Sequence, residues 1–193
     1  MRVIAGVAKG VPLRAPGGSS RLTRPTTDRV REAVFSMLAD WAGAAGGPAE
    51  SQLSGLSVLD LFAGSGAVAV EAMSRGAAKA VAVDSASAAV AAIRANASTT
   101  GLGVEAARAS VAEFLKNGSH PVFDIVWLDP PYDLPSETMN GVLCLVTGWL
   151  APGGIVAVER SGRGEPPIWP AGLASWGFRR YGETVVYFAQ EAT

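Results

Sequence analysis

A three-layer α/β sandwich is the fold class this sequence predicts, and three observations predict it. From residue 56 onward, short runs rich in apolar residues (SVLDLF, AVAVD, VEAAR, FDIVWLD and GIVAVE) alternate with helical stretches, the pattern of a parallel sheet covered by helices. The first run leads into a glycine-rich turn, Asp60-Leu61-Phe62-Ala63-Gly64-Ser65-Gly66, after which a helix can start at Ala67. The fourth run ends in Asp129-Pro130-Pro131-Tyr132, so a parallel sheet brings both turns to one edge.

Helices are expected over residues 66–75, 86–99, 111–116 and 136–149, and the ending FRRYGETVVYFAQ reads as an antiparallel strand pair. Ahead of this body, MRVIAGVAKGVPLRAP breaks short alternating apolar stretches with glycine and proline, which predicts a β-hairpin. The run RPTTDRVREAVFSMLADW then sets Val30, Val34 and Leu38, with Ala33, Met37 and Trp41, at helical spacing. Thr26 or Thr27 can cap this helix, and Asp28 suits the positive end of its dipole. Arg29 and Arg31 are expected to point away from the core face. Residues 42–55 are small and aperiodic and read as a loop or linker. The chain thus divides into an extension (1–41), a linker (42–55) and a main domain (56–193).

Composition excludes several classes. With 49% hydrophobic and 17% charged residues in 193, the chain can bury a substantial single core and is not a disordered or fibrous protein. It carries neither a membrane-spanning apolar run nor a secretory leader, which predicts a soluble, cytoplasmic protein, expected to be a monomer. Cys144, the one cysteine, lies in GVLCLVTGWL and is expected to be a buried thiol; His120, the one histidine, lies in KNGSHP and reads as a solvated loop residue. No metal site is indicated.

Charge is uneven: residues 1–35 hold seven basic residues (Arg2, Lys9, Arg14, Arg21, Arg24, Arg29, Arg31) against two acidic, and the remainder nine against fifteen. A segment that meets phosphates shows this asymmetry, because each neutralised phosphate releases counterions. An ordinary solvated surface is the plainer alternative.

The chemistry of the two turns narrows the ligands. Glycines at 64 and 66 free the backbone for conformations closed to other residues and for close approach by a nucleotide-like cofactor. Gly64, Gly66 and Ala69 also satisfy the dinucleotide pattern G-x-G-x-x-G/A. Asp60 argues against that reading, since a carboxylate at the strand end repels a pyrophosphate but accepts hydrogen bonds from an ammonium group. S-adenosylmethionine has such an amine and no phosphate. Asp84, 18 residues beyond Gly66, can bind both ribose hydroxyls of either cofactor. Ser110 and Val111 are placed to meet adenine, or equally to serve as a helix cap followed by core.

In the second turn, consecutive prolines remove two backbone donors and hold carbonyl acceptors in a stiff arc. Asp129 and the Pro130 carbonyl can accept both hydrogens of an exocyclic amine and aim its lone pair at a sulfonium methyl, with Tyr132 stacking on the base.

The segments RVIAG, RPTTDRVREAVFSML, LDLFAGSGAVAVEAMSRGA and FDIVWLDPPY, in this order, resemble the RsmD-type family of bacterial ribosomal RNA methyltransferases. The resemblance covers most of the chain. It implies a class I methyltransferase (Rossmann-like) fold, with a seven-stranded sheet whose last strand is antiparallel, and S-adenosyl-L-methionine-dependent methylation of guanine N2 in small-subunit ribosomal RNA. It also implies cofactor contacts from Asp60, from the loop residues Ala63, Gly64, Ser65 and Gly66, and from Asp84. Catalytic contacts would come from the Asp129-Pro130-Pro131-Tyr132 turn. Thr26, Thr27 and Asp28 would close over the methionine end, and the basic N-terminal segment would grip RNA, free or in an assembled small subunit. Two features depart from the family: the long linker, and Ser110 where an amide or acid is commoner. D/N-P-P-Y turns also serve DNA adenine and protein glutamine methylation, and a non-catalytic cofactor-binding RNA-binding protein would keep the same cleft.

Overall fold

The computed structural model describes residues 1–18, 28–117 and 122–192. Thr26, Thr27, Arg21, Arg24 and His120 lie outside them.

Helix α1 (Asp28–Trp41) precedes an alternating body of β1 (Ser57–Leu61), α2 (Ala67–Ser74), β2 (Lys79–Asp84), α3 (Ser87–Thr100), β3 (Val104–Arg108), α4 (Val111–Asn117), β4 (Phe123–Leu128) and α5 (Ser136–Val146). Strands β5 (Leu150–Ser161), β6 (Leu173–Tyr181) and β7 (Thr184–Glu191) complete one seven-stranded sheet in the order β3-β2-β1-β4-β5-β7-β6. Strands β1 to β5 pair in parallel, while β7 runs antiparallel to both β5 and β6. The last strand is therefore the reversed one, as the resemblance implied.

The central strands carry apolar side chains on both faces because both are covered. Leu38, Val58, Ile93 and Trp127 join one cluster under α1, α2 and α3; Leu59, Val126, Leu143 and Trp149 join another under α4 and α5. The Trp149 indole N–H donates to the Leu115 carbonyl at 3.0 Å, which satisfies its one polar atom inside the core.

The N-terminal segment is a hairpin-shaped loop closed by a single antiparallel bridge, Arg2 to Pro12, rather than a laddered strand pair. Three backbone bonds cross it, from Val3 N–H to the Val11 carbonyl at 3.0 Å, from Gly10 N–H to the Val3 carbonyl at 2.9 Å and from Leu13 N–H to the Met1 carbonyl at 3.1 Å, and others seat it on α2. Val7 N–H donates to the Ser74 carbonyl at 2.8 Å, and Ala8 N–H to the Ser74 hydroxyl at 3.0 Å. Gly6, at φ 79°, passes so close to this turn that a Cβ would stand 1.7 Å from the Ser74 carbonyl oxygen. Glu71, fully buried in α2, accepts the N–H groups of Ile4 at 2.8 Å and Ala5 at 3.0 Å.

Three expectations are corrected. Arg31 is 1% exposed rather than solvent-facing; it donates to the Arg2 carbonyl and to Asp28 and lies 3.8 Å from Glu71, so its guanidinium is spent inside the protein and is not available to RNA phosphates. Cys144 is exposed, because α5 turns Met139, Val142, Leu143 and Val146 inward and position 144 falls off that stripe. Segment 42–55 is no free linker: Leu53 is wholly buried and its N–H donates to the Arg75 carbonyl at 2.9 Å. No described helix is long and apolar enough to cross a membrane.

Candidate active site

The carboxyl edge of the sheet gathers the two turns as the parallel topology requires. β1 pairs with β4 up to Leu61–Leu128, and one residue later the Asp129 N–H donates to the Leu61 carbonyl at 3.3 Å. That bond ties the acidic double-proline turn to the start of the glycine loop.

The loop is held by its own backbone. Ala63 N–H donates to the Val83 carbonyl at 3.0 Å, and Gly66 N–H to the Ala63 carbonyl at 2.7 Å. Gly66, at φ 73°, is the N-cap of α2, and a Cβ there would meet the Ile93 side chain at 3.0 Å. Gly64, at φ 54°, has open space where its Cβ would be, so a ligand can lie against its backbone. Phe62 has φ 61°, an uncommon conformation for a bulky residue and one that clusters at functional turns.

Two carboxylates flank this space. Asp84 accepts the Gly64 N–H at 2.9 Å on Oδ2 and the Ala86 N–H at 2.9 Å on Oδ1. A carboxylate offers about four lone-pair sites, so both oxygens keep capacity for a pair of ribose hydroxyls. Asp60 is 2% exposed and accepts the Ala69 N–H at 3.1 Å. Burial, helped by the negative charge of Asp84 and opposed by the Ala69 N–H, pushes its carboxyl up to about 7. A cation brought against it recovers that cost, which fits the ammonium end of S-adenosylmethionine.

This environment sets a pH dependence. Because the folded value lies above the unfolded one, the contribution of Asp60 to stability is fully present below about pH 4 and is lost as pH rises through about 7. The total loss is on the order of 4 kcal/mol. Asp60→Asn is therefore expected to gain stability relative to the parent protein as pH rises from 5 to 8 in thermal melts of the free protein. A difference independent of pH would mean that Asp60 titrates at its ordinary value.

In the second turn Pro130 is buried, Asp129 half-buried and Pro131 exposed, with Leu134 N–H donating to the Pro131 carbonyl at 3.0 Å. Tyr132 is 44% exposed at the rim. Ser110 caps α4 in a reciprocal box with Glu113: its hydroxyl stands 2.7 Å from the Glu113 carboxylate and accepts the Glu113 N–H at 3.3 Å. Val111 is buried behind it. The pair thus realises the cap-and-core arrangement, at the edge of the cleft beyond β3. Asp28 pairs with Arg31 at 3.1 Å. Ser65 is nearly buried, its carbonyl engaged by Asn96. Arg2, Lys9, Arg14 and Arg29 are exposed.

Sequence reasoning missed Asn96. Its amide donates to the Ser65 carbonyl at 2.9 Å and the Arg14 carbonyl at 3.0 Å, and its oxygen accepts the Arg14 N–H at 2.8 Å. One buried side chain thereby clamps the basic N-terminal segment to the glycine loop. A lone asparagine inside the apolar helix AAIRANAS was the available signal.

Comparison with known proteins identifies the family of the chain. A family model described as "Conserved hypothetical protein 95" matches residues 1–190. The "Putative rRNA methyltransferase YlbH" of Bacillus subtilis is 32% identical over 195 residues, covering 96% of each chain. The "Ribosomal RNA small subunit methyltransferase D" of Escherichia coli K12 is 33% identical over 183 residues, covering 93% of this chain and 83% of that one. Among solved structures, a "Putative methyltransferase yhhF" from Escherichia coli superposes with a TM-score of 0.80 at 29% identity, over 100% of this chain and 98% of that one. With residues 1–190 matched and its two turns joined at one sheet edge, the chain belongs to the conserved hypothetical protein 95 family, the RsmD-type family that its four sequence blocks resemble.

Proposed function

We propose that this protein transfers the methyl group of S-adenosylmethionine to the exocyclic N2 amine of a guanine in small-subunit ribosomal RNA. The observation that carries this reading is the bond from the Asp129 N–H to the Leu61 carbonyl, which sets an amine-accepting turn against a glycine loop flanked by Asp60 and Asp84. The names and full-length similarity of the relatives support ribosomal RNA as the acceptor.

When bound, the cofactor supplies a methyl group on a positively charged sulfur. The chain's own contribution is positioning. Asp84 serves the ribose hydroxyls, Asp60 the ammonium group, and the Gly64 backbone lies against the ligand. Asp129 and the Pro130 carbonyl accept the hydrogens of the amine and turn its lone pair toward the methyl, while Tyr132 stacks on the base. Orientation of this kind is worth up to about 7 to 11 kcal/mol of barrier. The Asp129 carboxylate is the group placed to receive the proton that the amine sheds. Because the amine must reach this turn, the guanine is unpaired or flipped out of its helix.

Arg2, Lys9 and Arg14, exposed on the loop that Asn96 and Glu71 hold, and Arg29 at the start of α1 form the grip on RNA phosphates. Neutralising Arg2, Lys9 and Arg14 together is expected to weaken RNA binding and lower its salt dependence by about one unit of logarithmic slope per lost phosphate contact. An unchanged slope would remove the loop from the interface.

The deciding experiment incubates the protein and labelled S-adenosylmethionine with small ribosomal subunits, free ribosomal RNA, DNA and release-factor protein, followed by digestion. Label in N2-methylguanosine is the expected result. Label in DNA or protein would reassign the acceptor, and binding without transfer would make the protein a sensor.

A further inference from the structure

Beside the double-proline turn lies a recess that the reaction above does not use. It lies open to solvent between the first turn of α5 and the end of β5, and Ser136, Asn140, Arg160 and Glu165 contribute to its wall. Its position follows from the strand register. β4 and β5 pair up to Leu128–Val158, and Arg160 continues the Val156 and Val158 face two residues further, which carries it to the level of the turn.

Two independent features mark the recess for an anion. Arg160 is 8% exposed, and its Nη1 is buried with no hydrogen-bond partner among the described residues. Arg160 lines the recess, so an anion that enters it meets the positive charge of a guanidinium whose burial costs free energy. The second feature is the start of α5, an eleven-residue helix whose N-cap, Pro135, makes no side-chain capping bond. Its first N–H groups and its positive dipole end favour negative charge. The chain already places one there: the exposed Glu165 carboxylate accepts the Ser136 hydroxyl at 3.5 Å.

We propose that this recess binds a phosphate of the RNA substrate, next to the nucleotide whose base enters the Asp129–Tyr132 turn. Arg160, the Ser136 hydroxyl, the Asn140 amide and the first N–H groups of α5 are its donors, and the Glu165 carboxylate swings into solvent to admit it. The proposal rests on the RNA methyltransferase reading. A guanidinium fork beside a helix N-terminus suits a phosphate, and any nucleotide held by its base at the turn brings phosphates to either side. The site also supplies what the N-terminal loop cannot, a backbone contact on the far side of the acceptor turn.

The test measures binding of a small-subunit ribosomal RNA fragment across a salt series for the parent protein, Arg160→Met and Glu165→Gln, with melting temperature and cofactor affinity recorded for each. Arg160→Met is expected to weaken RNA binding about tenfold and lower the salt slope by about one, with cofactor affinity unchanged within twofold. Glu165→Gln, at an exposed position that folding does not depend on, is expected to tighten RNA binding about threefold by removing the competing charge. If Arg160→Met fails to fold, Glu165→Gln decides alone, and unchanged or weaker binding overturns the site. Unchanged affinity and slope in both variants, with the parent protein methylating the RNA, overturn the phosphate site and leave the activity standing. A parent protein that neither binds nor methylates RNA overturns both.

Discussion

Asp129→Ala is expected to cut methyl transfer by about 10²–10³-fold or more while cofactor affinity stays within a few fold. The carboxylate serves the acceptor amine, and removing one preorganised polar group of this kind costs that much in other enzymes. The turn itself should survive, because it is anchored by main-chain atoms: the residue 129 N–H donates to the Leu61 carbonyl and Leu134 N–H to the Pro131 carbonyl, and neither bond involves the side chain. Single-turnover transfer of labelled methyl to RNA, paired with calorimetry of cofactor binding, separates the two effects. Loss of cofactor binding in the variant would reassign Asp129 to the cofactor, and near-normal transfer would remove it from catalysis.

Glu71→Ala is expected to be the most destabilising single substitution in the extension's seat, by about 3–5 kcal/mol. Glu71 is wholly buried and holds four groups together. It accepts the N–H groups of Ile4 and Ala5, pairs with Arg75 at 2.9 Å, and lies 3.8 Å from Arg31, itself 1% exposed. Deleting it leaves the buried Arg31 and Arg75 without their shared counter-charge and the part-buried Ile4 and Ala5 N–H donors unpaired, and undocks the loop that carries Arg2, Lys9 and Arg14. Denaturant midpoints measure the stability, and amide exchange at Ile4 and Ala5 measures the docking. A loss below about 1 kcal/mol with unchanged protection would mean that both arginines find water or other partners without cost. The network also explains why the basic segment is part of the body: its order is stored in α2, the helix that starts at the glycine loop.

Much of this was legible along the chain. The alternation of β-branched runs with helical stretches located β1 to β5 and α2 to α5 to within a few residues, because strands buried on both faces must be continuously apolar. The glycines before Ala67 and the prolines after Asp129 marked the two functional turns through local backbone chemistry alone. Some misses were readable too. Arg31 shares a helical stripe with Val34, Phe35 and Leu38, and that spacing puts it on the buried face. Cys144 falls outside the stripe of Met139, Val142, Leu143 and Val146. In both cases residue type was allowed to outweigh periodicity.

Other features had no local signature. That Glu71 receives residues 4 and 5, that Asn96 joins Arg14 to Ser65, and that Arg160 closes a recess with Ser136 all depend on contacts between segments 24 to 82 residues apart. The rise of the Asp60 carboxyl to about 7 likewise comes from burial and from Asp84 on the next strand. The sequence by itself determined the order of the elements, the sheet edge at which the two turns meet and the kinds of groups they offer, since periodicity and turn chemistry act over a few residues. Only the tertiary structure decided which charges are buried, what pairs with them and how the basic segment is held, since desolvation and pairing arise where distant parts of the chain pack together.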